Sequence, residues 1–139
     1  MGKYMVRADH LEERVYLNKT ADYEMKIDFN EKEAAGSSQY FLSSLASCKL
    51  ISLLELRTKF EMEISEAYVE VYGETGRIGI VEGTRFPVSA FKTVEYVFYL
   101  KTDHSDEELN DYLRFVNAAC TMGNSISDKI EQNYRFVRI

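Results

Sequence analysis

No stretch of roughly 18 apolar residues occurs that would carry a helix across a bilayer, and the opening residues Met1-Gly2-Lys3-Tyr4-Met5-Val6-Arg7 lack the apolar run of a secretory leader. A cytoplasmic protein is expected, with no membrane among its partners. Positive charge is also short: 17 Lys and Arg stand against 23 Asp and Glu, a net charge of -6. No basic field exists to gather phosphates, so nucleic acid is not an expected partner either. Metal-ligand spacing is missing as well. Cys48, Cys120, His10 and His104 are scattered, without the paired ligands about two to four residues apart that mark structural zinc sites, so neither a metal nor another cofactor is expected. Cysteine itself is scarce, and in a reducing compartment two cysteines are not expected to form a permanent structural disulfide. Cys48 and Cys120 therefore need another explanation.

What is present is enough for one domain spanning residues 1–139: 45% of the residues are hydrophobic, and a chain of this length buries roughly two-thirds of the surface it exposes unfolded. Tyr4 to Ala8, Arg14 to Asn18 and Tyr23 to Phe29 are rich in β-branched and aromatic residues, separated by polar turn-like stretches, and predict a small antiparallel sheet. Ala34-Ala35-Gly36-Ser37-Ser38 supplies a breaker and two hydroxyl groups able to cap a helix. That helix is predicted over about Gln39 to Phe60. Its apolar residues cover well over half the circumference, so it is expected to be buried on most sides. Residues 41, 45, 48 and 52 share one face, which places Cys48 in a largely apolar setting.

Alternation returns in Ile64 to Tyr72 and in Ala90 to Lys101, which read as two strands. Between them, Gly73 to Pro87 holds four of the seven glycines and the single proline; a mobile loop or an irregular hairpin is expected, with a short strand at Gly79-Ile80-Val81. Ser105-Asp106-Glu107-Glu108 is a capping box that opens a second helix. Leu109, Tyr112, Leu113, Val116, Ala119 and Cys120 repeat at helical spacing, putting Cys120 on the inward face near the final turn, with Gly123 as a stop. Ser125 to Gln132 reads as a last short helix and Tyr134 to Ile139 as a closing strand. His10 and His104 adjoin turn-like sequence and are expected in exposed loops. Asp103, Asp106, Glu107, Glu108 and Asp111 read as helix-start capping and solvated surface.

Two cysteines about seventy residues apart, each on a buried helix with strands before, between and after, resemble the layout of the OsmC/Ohr family. Gly36-Ser37-Ser38-Gln39-Tyr40-Phe41-Leu42-Ser43-Ser44-Leu45-Ala46-Ser47-Cys48 is similar to the family's Gly-rich turn and apolar helix ending in Leu-small-small-Cys. Ala118-Ala119-Cys120 resembles its second signature, and Arg85-Phe86-Pro87 followed by Phe91 to Lys101 resembles its aromatic-proline step and strand. Three positions depart from the pattern. Ser37 stands where a proline is common, Ser38 and Gln39 stand where peroxidase members often carry a glutamate, and Thr121 rather than proline follows Cys120.

The resemblance implies an α+β fold of antiparallel sheets around a long central buried helix, assembled as an intertwined homodimer with sites at the subunit interface. A helix as apolar as Leu50 to Leu56 agrees with that, being easier to cover in a dimer. It implies a thiol-dependent peroxidase, an oxidative-stress enzyme in which Cys48 attacks the outer peroxide oxygen and becomes a sulfenic acid. Cys120 then closes a disulfide, and an external thiol reductant reopens it. The substrate implied is a small organic hydroperoxide. Cys48 lies about ten residues into its helix, beyond the reach of the positive helix end. A cation must therefore hold its thiolate, and in the family an arginine from the N-terminal strands does so, which points to Arg7 or Arg14. The competing expectation is an OsmC-like dimer without peroxidase activity, binding a small apolar ligand in the interface cavity with its cysteines retained as packing; a purely structural dimer is a third. An arginine guanidinium within about 4 Å of the Cys48 sulfur favours the enzyme, because an opposite charge at that range stabilises the thiolate, and an entirely apolar shell favours the binding module.

Overall fold

A computed structural model describes residues 2–139. The chain forms two compact units, the first ending at Phe41 and the second running Leu42–Ile139.

In the first unit, β1 (Arg7–Glu12), β2 (Val15–Lys19) and β3 (Glu24–Asp28) make an antiparallel sheet in the order β1-β2-β3. β1 starts later than the sequence pattern predicts because its partner sets its extent. Arg7 pairs with Lys19, the last residue of β2, leaving the residues before Arg7 nothing to pair with. At the end of β3 the Asp28 carboxylate accepts the backbone N–H groups of Asn30 at 2.8 Å and of Lys32 and Glu33 at 3.0 Å. The Glu33 N–H leads the causes that hold this carboxyl below its usual range against the opposing effect of burial. These bonds coil the segment leading into α1 (Ser37–Leu56). The first turn of α1 is closed by Gln39, whose Oε1 accepts the Gly36 N–H at 3.0 Å. That is the glutamine half of a capping box, in the place where serine hydroxyls were expected.

In the second unit, β4 (Glu66–Ile80) and β5 (Pro87–Lys101) form a long antiparallel hairpin, from Glu66 opposite Lys101 to Ile80 opposite Pro87. The glycine-rich stretch from Gly73 is thus mostly strand, the hairpin of the two expected alternatives. Pairing with the first half of β5 overrides the poor strand propensity of its glycines, and irregularities at Glu74/Thr75 and Arg77/Gly79 absorb the misfit. Gly83 turns the chain with φ 77°, a left-handed conformation that glycine adopts freely. β6 (Glu131–Arg138) runs parallel to β5 and completes a mixed sheet in the order β4-β5-β6. This corrects the helix expected over Ser125 to Gln132: Glu131 and Gln132 already pair with Thr93 and Val94, a long-range contact invisible to local patterning.

α1 ends at Leu56, four residues before the predicted Phe60; Arg57 to Met62 form tight turns, with Glu61 at φ 55°. α2 (Asp106–Ala119) opens on the predicted capping box, both of whose bonds form: Glu108 N–H to the Ser105 hydroxyl, and Ser105 N–H to the Glu108 carboxylate. α3 (Thr121–Asn124) follows after Cys120. The core of the unit joins one face of β5 (Val94, Tyr96, Phe98, Leu100) to Leu109, Leu113 and Val116 of α2 and to Leu45 and Leu53 of α1, all fully buried. Each such leucine contributes roughly 1.5–3 kcal/mol of burial free energy. The two cysteine-bearing helices are joined through this core by the Tyr112 hydroxyl, which donates to the Leu53 carbonyl. Burial of α1 within one chain is narrower than expected, confined to Leu45, Lys49 and Leu53 at four-residue spacing, while Ile51 is 60% exposed. Only one side of the helix faces this core.

Candidate active site

The middle of α1 carries an anomaly. Its buried stripe runs Leu45, Lys49, Leu53, so a lysine, 3% exposed, occupies a position that helical periodicity reserves for core. The Lys49 ammonium is not left bare. It flanks the same point beside Gly123 as the Cys120 sulfur, feels the charge of Cys120 and, less strongly, of Cys48, and lies 4.4 Å above the centroid of the Tyr96 ring on β5.

Cys48 and Cys120 come together as the sequence analysis expected. Both are free thiols, Cys48 half-buried and Cys120 fully buried, and Cys48 is near enough to act on the proton affinity of Cys120. Cys120 sits at a junction: it is the C-cap of α2 and the N-cap of α3, and its sulfur accepts the Gly123 N–H at 3.3 Å. Gly123 is required there. A Cβ built on it would lie 3.1 Å from Lys49 Nζ, 3.4 Å from Cys120 Sγ and 3.5 Å from Gln132 Oε1, so a side chain would intrude on the contact. Gln132 on β6 finishes the cluster, accepting the Tyr96 hydroxyl at 2.7 Å and donating to the Gly123 carbonyl at 3.2 Å. A cavity of about 200 Å³ adjoins these groups, lined by Lys49, Tyr96, Asn117, Gly123, Asn124, Gln132 and Tyr134. Its wall is about as apolar as polar, with amides, hydroxyls and the ammonium supplying the polar part.

The electrostatics follow from burial. Desolvation pulls Lys49 below the usual lysine range, and the Cys120 thiolate, by charge and by hydrogen bond, pulls it back. Cys120 is pushed above the ordinary thiol range by burial; the Gly123 N–H opposes this, the Cys48 contact adds to it, and the Lys49 charge opposes it. Burial also pushes Tyr96 up to about 12, so this phenol stays neutral at physiological pH. Lys49 and Cys120 are thus two groups whose ordinary proton affinities have been drawn toward each other.

Arg7 and Arg14 belong to the first unit, where Arg7 pairs with Asp9 at 2.9 Å and Arg14 lies 4.7 Å from the Phe29 ring centroid. Within the second unit a cation does lie beside Cys120: Lys49, which the sequence analysis passed over. One signal pointed to it: Lys49 and Glu55 are the sole charged residues in Ser37–Leu56. His10 is exposed, but lies within β1 rather than in a loop. His104 is half-buried between α2 and the segment before β4: its Nε2 accepts the Glu63 N–H at 2.9 Å and its Nδ1 contacts the Glu108 carboxylate at 2.8 Å.

A family model described as OsmC-like protein matches residues 30–135, a span containing both cysteines and Lys49. The chain belongs to the OsmC-like family. Solved OsmC-like structures share its fold. An OsmC-like protein from Mycoplasma pneumoniae is similar with a TM-score of 0.84 at 16% identity, over 99% of this chain and 98% of its own. An organic hydroperoxide resistance protein from Legionella pneumophila gives a TM-score of 0.74 at 16% identity, covering 100% and 98%. Another organic hydroperoxide resistance protein, from Elizabethkingia anophelis with thiocyanate bound, gives 0.73 at 16% identity, covering 99% of each chain. No curated protein matches by sequence. No helix among the described residues is long and apolar enough to cross a membrane.

Proposed function

We propose that this OsmC-like protein is a thiol peroxidase that reduces organic hydroperoxides. The observation that carries this reading is the nearness of two free thiols, far apart in sequence, with a buried ammonium beside them. Exposure assigns the roles. Cys48, the more accessible thiol, attacks the outer oxygen of the hydroperoxide as thiolate; the O–O bond breaks, the alkoxide leaves and takes up a proton, and Cys48 becomes a sulfenic acid. Cys120, shielded from solvent, attacks the Cys48 sulfur, expels the hydroxyl group as water and closes a disulfide. An external thiol then reduces it by exchange. Arg7 or Arg14 is assigned the support of the Cys48 thiolate, and a homodimer in the cytoplasm is the proposed working form, with the exposed Ile51 side of α1 as part of the surface to be covered.

The shell around the sulfurs includes an ammonium, a phenol and a glutamine and so is not entirely apolar, which supports an enzyme over a binder of apolar ligands. The test is stopped-flow mixing of the reduced protein with cumene hydroperoxide, followed by counting free thiols. Loss of both thiols in the wild type, with a sulfenic acid trapped in Cys120→Ser, is expected. Survival of both thiols in excess hydroperoxide overturns the proposal.

A further inference from the structure

The buried lysine has no place in the reaction as outlined, and its position argues for one. Lys49 directly follows the attacking cysteine in sequence, yet its ammonium lies by the resolving sulfur: Lys49 Nζ and Cys120 Sγ flank one point beside Gly123, 3.1 Å and 3.4 Å from where a Cβ would stand there. Burying a lysine without purpose is costly, since removing an ammonium from water carries a penalty of several kcal/mol even after relaxation. The surroundings hold it in place. The Tyr96 ring lies beneath the ammonium, and Gly123 leaves its tip the space that a side chain would take. The titratable groups facing it are Cys48 on α1, Cys120 between α2 and α3, Tyr96 on β5 and, across the shared cavity, Tyr134 on β6.

We propose that Lys49 is a catalytic residue of the resolving step, moving the Cys120 proton to the hydroxyl that leaves Cys48. This rests on the peroxidase reading and assigns that reaction its proton path. Lys49 and Cys120 together hold one proton, as an ammonium–thiolate or an amine–thiol pair. As Cys120 Sγ attacks the sulfenic Cys48 Sγ, the S–S bond forms and the S–O bond breaks. Lys49 gives the proton to the departing hydroxide, and the products are the disulfide, water and a neutral amine. Cys120 supplies the electron pair of the new S–S bond, the S–O pair leaves with the hydroxide, each sulfur ends at the disulfide level, and no further oxidant is consumed. The neutral amine suits a buried site that has lost its thiolate. When the external thiol reopens the disulfide, the pair regains its proton. An arginine, permanently charged, could not perform this cycle.

The experiment is a single turnover of reduced wild type, Lys49→Met and Lys49→Gln with cumene hydroperoxide across pH 6 to 10. Sulfenic acid is captured by dimedone, and disulfide formation is read by mass spectrometry of the quenched protein. The wild-type resolving rate is expected to pass through a maximum, where the pair holds a single proton. Both variants are expected to resolve about 100-fold more slowly at neutral pH, within the usual range for positioned proton transfer. Their rates are expected to climb with pH as the unassisted Cys120 thiol ionises, a profile that loosened packing does not produce. A wild-type rate that simply rises with pH, or variants that close the disulfide at the wild-type rate with the wild-type profile, overturns the role of Lys49 and leaves the peroxidase reading intact. Failure of wild-type protein to consume thiols overturns both. The wild-type profile needs no variant to fold.

Discussion

Replacing Lys49 by methionine is expected to stabilise the protein while impairing it. The stem of Lys49 already packs at a core position, so methionine keeps most of the apolar contact and removes only the charge. Against a desolvation penalty of roughly 5 kcal/mol for the ammonium stand roughly 2 kcal/mol from its attraction to Cys120 and roughly 2 kcal/mol from a desolvated cation–π contact with Tyr96. The difference is about 1 kcal/mol in favour of methionine. No buried charge is orphaned, because Cys120 can revert to a neutral thiol. For a chain of this size the gain is about 3–5 °C in Tm, measurable by thermal and urea unfolding at fixed protein concentration. The pH dependence has a definite sign. Lys49 in the folded state lies below its usual 10.5, so between the two values the unfolded chain binds more protons and wild-type stability rises with pH. The advantage of Lys49→Met is therefore full below the folded pKa and disappears above 10.5. A variant less stable than wild type by more than about 1 kcal/mol at pH 7, or an advantage that grows with pH, refutes the account of Lys49 as a strained charge.

Other perturbations test the frame around the sulfurs. Leu53→Ala removes a fully buried side chain from the stripe that seats Lys49 and is expected to cost about 2–5 kcal/mol by urea denaturation; a loss under about 1 kcal/mol would mean that α1 can collapse onto the gap. Ser105→Ala deletes the N-cap of α2 and is expected to cost about 0.5–2 kcal/mol in the same assay. His104 and the Ser105 N–H hold the partner carboxylate Glu108 below its ordinary 4.5, so its stabilising effect is present above that value and fades as pH falls through the folded value. An acid-unfolding curve unchanged in Glu108→Gln would contradict this. Gly123→Ala pushes a methyl against the Lys49 ammonium and the Cys120 sulfur, and is expected to slow disulfide closure at least tenfold while leaving α2 helical by circular dichroism.

Where local rules govern, the sequence was readable. The capping box at Ser105 and the alternation in Ala90 to Lys101 each specify an element from a few neighbouring residues, and both elements formed. Contact between Cys48 and Cys120 was legible only through the family layout, since nothing in spacing alone closes a loop of about seventy residues. What escaped notice depends on distant partners. Glu131 joins β6 because Thr93 offers a parallel edge. Lys49 was hidden by its type: lysine is read as solvated, and only the fold reveals that its position on α1 continues the Leu45–Leu53 stripe.

The placement of Cys120 at the joint between two helices ties covalent state to backbone. Its sulfur is the acceptor that holds the Gly123 amide at the head of α3. Drawing that sulfur into a bond with Cys48 alters the charge and the direction it presents to the amide. A single backbone N–H, followed by hydrogen exchange, would then register whether the molecule is charged with reducing equivalents or spent.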